Sequence, residues 1–294
     1  MQAYPTRSAN ALKVRPSGRA VDFVAPPLVD GCGPDCRLAY CRHPLHGRPL
    51  RIAEDASELL QAIHRHATAQ PWPRLANRVD ERYYTYDLAA ATDLASAFGA
   101  ADWPRVLRFF GEHPRAKGAF AVAGVGDRLL DGLPVVPAGK VRVRLRLLPE
   151  ATRRLLDPAG PTVGERLAAI EPLRAMGYEV DLAFAPLVCY AGWLDDYAAL
   201  FAVIAAAVPP RLRAGLRYEA ELLAHSPSRR AANLAAGRGG AEAILHSADL
   251  QELVGAGAPH ELYRYRYELR RGILRRWREL HDRLLPWNLA RSVA

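Results

Sequence analysis

The sequence predicts an α/β protein, a partial (β/α)6 barrel carrying a C-terminal α/β appendage. Three observations predict it. Apolar runs of strand length alternate with stretches of helical periodicity between residues 21 and 224, the order expected of a parallel sheet with crossover helices. The segment KVRVRLRLL at 140–148 alternates charge and aliphatic with period two. The chain is 294 residues long, within the range where α/β barrels form one unit around a large core.

Residues 1–20 carry Ser, Pro, Gly and Arg without apolar periodicity and read as a flexible basic arm. A short strand is expected at 21–25, closed by Pro26 and Pro27. A cysteine-rich loop follows directly, at a strand's C-terminal end, where α/β sheets and barrels place their sites. Leu59, Leu60, Ile63 and Ala67 recur at helical spacing behind Asp55, a candidate N-cap, and predict a helix over 56–68. A strand at 82–88, a helix at 103–112, a buried strand at 119–125 and a helical turn at Leu129 and Leu130 come next. After the strand at 140–148, Leu167, Ile170 and Leu173 predict a helix over 163–176, with Gly177 as its C-cap. The apolar run VDLAFAPLV is of strand length, a helix over 194–207 ends at Pro209 and Pro210, and 216–224 is the last strand of the barrel region at 21–229. Residues 230–294 read as the basic appendage, with a helical piece at 241–253 and a long amphipathic helix near the end.

Half of the residues are apolar and 24% are charged, the balance of a folded globular protein. No run reaches the roughly 18–20 apolar residues that a membrane span needs. The first twenty residues lack the apolar stretch of a secretory signal, so a cytoplasmic protein with no membrane partner is expected. The net charge of +9 and the pI near 9.6 point toward a polyanionic partner, DNA above all. Only Lys13, Lys117 and Lys140 are lysines, an arginine bias typical of GC-rich coding, so the placement of the arginines matters more than their number.

Three of the four cysteines, Cys32, Cys36 and Cys41, fall within ten residues in GCGPDCRLAYC, spaced Cys-x3-Cys-x4-Cys. An odd, clustered set in a long chain without a signal does not fit a disulfide framework. Three thiolates in one loop suit a cluster that keeps one iron open for a substrate. His43 and His46 follow at once, so a zinc site of cysteine and histidine ligands is the competing reading, and loop filler the bland one. Cys189 stands alone on an apolar run and reads as a small buried hydrophobe.

The loop FVAPPLVDGCGPDCRLAYC resembles that of the spore photoproduct lyases, a branch of the radical S-adenosylmethionine proteins, in Gly31, Cys32, Cys36 and the Tyr40–Cys41 pair. That family has two residues between its second and third cysteines, whereas this chain has four. HGRPLRI and VRVRLRLLPEATRRLLDP are also similar to family segments, and ERLAAIEPLRAMGYEVDLAFAPLVCYAGWLDDYAALF is the most similar of all. The resemblance implies a barrel of the radical S-adenosylmethionine type with a 4Fe-4S cluster on Cys32, Cys36 and Cys41. It implies S-adenosylmethionine on the open iron, reductive cleavage to a deoxyadenosyl radical, and hydrogen abstraction from a thymine dimer in DNA. A flavodoxin- or ferredoxin-type protein would be the reductant.

Carried over by position, the resemblance also marks departures. The family's hydrogen-donor cysteine falls in RYYTYDLAAATDL, where this chain has none, leaving Tyr84 and Tyr86 as candidates against the reading that they are core or wall. The family's strand Lys falls near Val122 and its strand Ser near Arg146. Tyr40 and Arg146 are the candidate cofactor contacts; Arg146 either enters the barrel toward a carboxylate or phosphate or points outward. Tyr263, Arg264, Tyr265, Arg266 and Tyr267 would, on a strand, set three rings on one face and two guanidiniums on the other. Together with Arg270, Arg271, Arg275, Arg276 and Arg278 they form a candidate nucleic-acid surface, against the reading of core rings and solvated arginines. Two functions remain open on the sequence: a radical enzyme acting on DNA, by dimer repair or a related reaction, and a degenerate, non-catalytic binding module with zinc or no metal at the cysteines.

Overall fold

The charged and aliphatic residues of 140–148 separate onto the two faces of one strand, and that separation organises the whole sheet. The computed structural model describes residues 2–4, 12–31, 38–41, 51–53, 56–88, 102–122, 127–255 and 261–294. In chain order its strands are β1 (Gln2–Tyr4), β2 (Arg15–Pro16), β3 (Phe23–Val24), β4 (Val29–Asp30), β5 (Arg51–Ala53), β6 (Tyr84–Asp87) and β7 (Ala116–Val122). They continue as β8 (Val141–Arg146), β9 (Glu179–Leu187), β10 (Arg217–Leu222), β11 (Ala224–His225), β12 (Gln251–Val254), β13 (Leu262–Tyr265) and β14 (Leu289–Val293).

Among the described residues the main sheet has eight strands in the order β14-β10-β9-β8-β7-β6-β3-β2. All its neighbours pair in parallel except the edge strand β2, which is antiparallel to β3. The sheet is curled: Arg19, beside the β2 edge, reaches Glu221 on β10 at 2.9 Å. The result is an open half-barrel with crossover helices outside, the expected fold class, with β14 as a further parallel strand.

One face of the sheet is apolar. Val143, Leu145, Val180, Leu182, Phe184 and Tyr218 are buried there. Phe184 meets Phe201 of helix Trp193–Ala207 at 5.5 Å between ring centroids and Trp277 of helix Tyr267–Leu284 at 5.2 Å. Burying a large aromatic side chain of this kind stabilises by about 1.5–3 kcal/mol. The opposite face carries Thr85, Asp87, Lys117, Arg142, Arg144, Asp181 and Glu219, and lines the lumen.

The N-terminal end of the lumen is closed by the segment 71–83. Asp22 accepts hydrogen bonds from Arg74 at 2.9 and 3.1 Å and from the Thr85 amide at 2.9 Å. Asp80 meets Lys117 at 2.8 Å and Arg142 at 3.3 Å, and Glu179 bonds Arg142 at 2.8 Å and also contacts Lys117 and Arg291. Burial pushes the Asp80 carboxyl up, but Lys117 and the amides of Tyr83 and Arg82 outweigh it and hold it at about 2.

Several elements differ from the sequence reading. Within the expected flexible arm, β1 pairs with β5, and Ser17 to Asp22 close a turn that lays Arg15–Pro16 along β3, an edge position that proline tolerates. The helix expected over 163–176 is two, Val163–Ala168 and Ile170–Ala175, because Pro172 has no amide to bond back into the preceding turn. Gly177 ends the second at φ +91°, where a Cβ would lie 1.9 Å from the Val136 carbonyl. The strand expected at 119–125 is β7, displaced toward the N-terminus. Residues 230–294, expected as an appendage, supply β14 to the main sheet and β12 and β13 to a three-stranded sheet of order β11-β13-β12, separate from the three-stranded sheet β1-β5-β4. The helical piece expected over 241–253 is the helix Gly239–Leu245 followed by β12.

Candidate active site at the C-terminal ends of the strands

Parallel strands end together, so the segment after β3, the end of β6 and the end of β8 share one mouth. Leu38, Ala39, Tyr40 and Cys41 are the described part of the cysteine segment. The Ala39 amide donates to the Leu156 carbonyl at 2.9 Å, at the end of helix Glu150–Leu156, and the Cys41 amide donates to the Leu38 carbonyl at 3.2 Å in a tight turn. Ala39 and Tyr40 are buried in the core, whereas Cys41 is half-buried. Cys32, Cys36, His43 and His46 lie outside the described residues. Among the described residues no group of three or more His, Cys, Asp or Glu could hold a metal. Of the three clustered cysteines only Cys41 lies among the described residues, half-buried on a turn whose backbone is bonded to the body of the protein.

The lumen is charged. Arg144 donates to Asp87 at 2.7 Å and lies 3.6 Å from Glu219. The pairing spans β7, where small side chains, Ala119 opposite Asp87 and Ala121 opposite Arg144, leave room for the two to meet. Burial disfavours the charge on Arg144, but Asp87 and Glu219 outweigh it and hold its pKa above the ordinary value. Burial raises the Glu219 carboxyl, with Arg144 opposing. The Nε of Arg144 is buried and has no hydrogen-bond partner among the described residues.

Arg146 follows two residues on, on the same face of β8 as Arg142 and Arg144, and is half-buried; burial raises the nearby Asp157 carboxyl, with Arg166, Arg153 and Arg146 opposing. Val122 is fully buried in the core.

Tyr84 and Tyr86 stand on the opposite face of β6 from Thr85 and Asp87. Tyr86 is fully buried, shares a hydrogen bond of 3.0 Å with Nδ1 of His66 and packs on Phe23 and Phe110; Tyr84 donates to the Pro71 carbonyl at 2.7 Å. Both therefore belong to the wall between sheet and helices. Cys189 is buried, its thiol pushed up to about 12 by burial, and its amide donates to the Tyr265 phenol oxygen at 2.7 Å.

The Tyr-Arg segment does not stay on one strand. β13 ends at Tyr265, Arg266 takes the N-cap position of helix Tyr267–Leu284, and the rings diverge. Tyr265 is buried, Tyr263 packs on His246 at 4.3 Å between ring centroids, and Tyr267 is 81% exposed. Arg266 donates to the Ala248 carbonyl at 3.1 Å and Arg270 to the Tyr265 carbonyl at 2.7 Å, while Arg264 and Arg271 are exposed. Sequence reasoning missed Asp87, Arg144 and Glu219. Their signal was present as alternation in TYD, VRVRLR and RYEAEL, but alternation does not say which face is the lumen.

The sequence profile of the family described as spore photoproduct lyase matches residues 9–240. No curated protein matches the chain by sequence. Among solved structures, a spore photoproduct lyase variant with dinucleoside spore photoproduct is similar at a TM-score of 0.80 and 17% identity, over 99% of this chain and 81% of that one. A variant with bound AdoMet and dinucleoside spore photoproduct is similar at 0.77 and 17%, with the same coverage. Spore photoproduct lyase complexed with dinucleoside spore photoproduct is similar at 0.75 and 16%, over 99% and 82%. At such identities the structural likeness shows the half-barrel fold. The profile, which spans most of the chain from β2 through helix Pro227–Ala235, shows the family: the chain belongs to the spore photoproduct lyase family.

Proposed function

We propose that the protein is a radical S-adenosylmethionine enzyme of the spore photoproduct lyase type, performing radical chemistry on DNA, either thymine-dimer repair or a related reaction. The family profile over residues 9–240 carries this reading. In it Cys32, Cys36 and Cys41 are the ligands of a 4Fe-4S cluster, with one iron left open. When bound, the cluster would supply the electron that cleaves S-adenosylmethionine.

The residues of the chain have separate tasks in this reading. The turn Leu38–Cys41 fixes the third thiol at the barrel mouth, and Arg146 and the spare Nε of Arg144 offer cationic donors to carboxylate or phosphate groups that enter the lumen. The closed N-terminal end of the barrel, sealed by Asp80, Lys117, Arg142 and Glu179, excludes water from below. The exposed Arg264 and Arg271 neutralise phosphates of the nucleic acid. A flavodoxin- or ferredoxin-type partner in the cytoplasm supplies reducing equivalents. Among the described residues no helix is long and apolar enough to cross a membrane.

Anaerobic incubation of the iron-loaded protein with dithionite, S-adenosylmethionine and dinucleoside spore photoproduct tests the reading. Formation of thymine dinucleoside that depends on S-adenosylmethionine supports it. 5′-Deoxyadenosine without any change in the photoproduct would move the substrate elsewhere, and neither photoproduct conversion nor 5′-deoxyadenosine would overturn the enzyme reading.

A further inference from the structure

The turn that carries Cys41 is gripped from outside the barrel by side chains almost two hundred residues away. Arg229 donates through Nη2 to the Leu38 carbonyl at 2.9 Å and through Nε to the Ala39 carbonyl at 3.3 Å, so one planar fork spans two consecutive peptide groups. Asn233, one helical turn on, donates to the same Ala39 carbonyl at 2.9 Å. Asn233 also donates to Glu242, whose two carboxylate oxygens each lie 3.1 Å from Nε2 of His225. The set is deeply buried: Arg229 is 7% exposed, Asn233 1%, Glu242 5% and His225 0%.

Helix Pro227–Ala235, which carries Arg229 and Asn233, is itself fixed. Ser226 caps it by accepting from the Arg229 amide at 3.1 Å, and Pro227 stands at its first turn. Burial alone would raise the Glu242 carboxyl, but hydrogen bonds from His225 and Asn233 outweigh it and keep the group below its ordinary value, an acceptor for both.

We propose that Arg229, Asn233, Glu242 and His225 are positioning residues for the metal-bearing loop, a brace that holds the Leu38 and Ala39 carbonyls and thereby sets the place of the Cys41 thiol. The part of this inference that concerns a cluster rests on the function proposed above; the brace on Cys41 does not. Four residues separate Cys36 from Cys41, and a longer span leaves the third thiol more freedom, which an external anchor on two adjacent carbonyls removes. The anchor acts through the backbone, so it constrains Cys41 whether or not a metal is bound.

Alkylation of Cys41 in metal-free, reduced full-length protein, resolved from the other thiols by peptide mass spectrometry, tests the brace. Asn233→Ala and Glu242→Ala are expected to speed Cys41 labelling by about three- to tenfold, the factor that one lost buried hydrogen bond carries, and Glu242→Gln is expected to stay near wild type. Cys189 reports general unfolding, because it is buried. Wild-type rates at Cys41 in both alanine variants, with Cys189 protected, would overturn the proposal. Where an alanine variant also exposes Cys189, Arg229→Lys, which keeps the charge but not the two-carbonyl fork, decides by the same criterion. After iron and sulfide loading, the alanine variants are expected to lose iron to a chelator faster and to show altered EPR g values. A wild-type protein that takes up no iron ends the cluster reading and leaves the labelling result standing.

Discussion

The guanidinium of Arg144 meets the carboxylate of Asp87 at 2.7 Å across an intervening strand, inside the lumen. Both side chains are nearly inaccessible, at 7% and 9% exposure. Removal of one partner strands a buried charge, and such losses cost about 3–5 kcal/mol. Asp87→Ala is expected to fall at the low end of that range, because Glu219 remains within 3.6 Å of Arg144. Urea denaturation of the variant against wild type measures it. A change below about 0.5 kcal/mol, the size of an ordinary surface substitution, would show that the pair is solvated.

The floor of the barrel makes stability depend on acid. Asp80 and Glu179 are both held at about 2 in the folded protein, below their ordinary 3.8 and 4.5. For Glu179, burial raises the carboxyl, and Arg142, Lys117 and Arg291 together overcome it. A lowered folded value stabilises above the unfolded value, and that contribution disappears as the pH falls through the folded one. Stability is therefore expected to drop between about pH 4.5 and 2. Glu219, whose carboxyl burial raises, works in the opposite direction. Comparison with Asp80→Asn isolates the floor: the variant is expected to be less stable at pH 6 and to lose less on acidification. Parallel pH profiles for the two proteins would contradict this.

Tyr86 lies in the wall, so Tyr86→Phe is expected to cost about 1 kcal/mol for the hydrogen bond to His66 and to leave product formation within about twofold of wild type. Quantifying products in single-turnover assays checks it. A loss of photoproduct conversion with S-adenosylmethionine cleavage intact would instead make the phenol a hydrogen-atom donor.

Nucleic-acid affinity is expected to reside in the exposed arginines and not in the buried ring. Arg264→Ala and Arg271→Ala are each expected to weaken DNA binding at low salt and to reduce the slope of log affinity against log salt by about one. Tyr265→Phe is expected to lower stability through the lost bond to the Cys189 amide and to leave the slope unchanged. Titrations at several salt concentrations separate the two.

The local elements were legible where local chemistry decides them. Asp102 caps helix Trp103–Glu112 by accepting from the Arg105 amide at 3.2 Å, and that helix lies where its apolar spacing predicts. The parallel sheet followed from alternation of strand and helix. The charged lumen was not legible, because Arg142 is buried by Asp80, Glu179 and Asp181, partners that come from a loop and a strand distant in sequence. For the same reason the pattern YTYD drew attention to the tyrosines, while Thr85 and Asp87 are the residues that face inward. The Tyr-Arg segment misled because Arg266 turns from strand to helix, which no period-two reading anticipates. The bracing of Cys41 by Arg229 and Asn233 carries no local signal at all, since it joins segments almost two hundred residues apart.

Iron and acid-labile sulfide in protein purified without oxygen, read together with its visible spectrum, test the central claim most directly. About four irons and four sulfides per chain, with absorbance near 400 nm that bleaches on reduction, is the expected result. A colourless protein that carries zinc, or that takes up no iron on reconstitution, would contradict it.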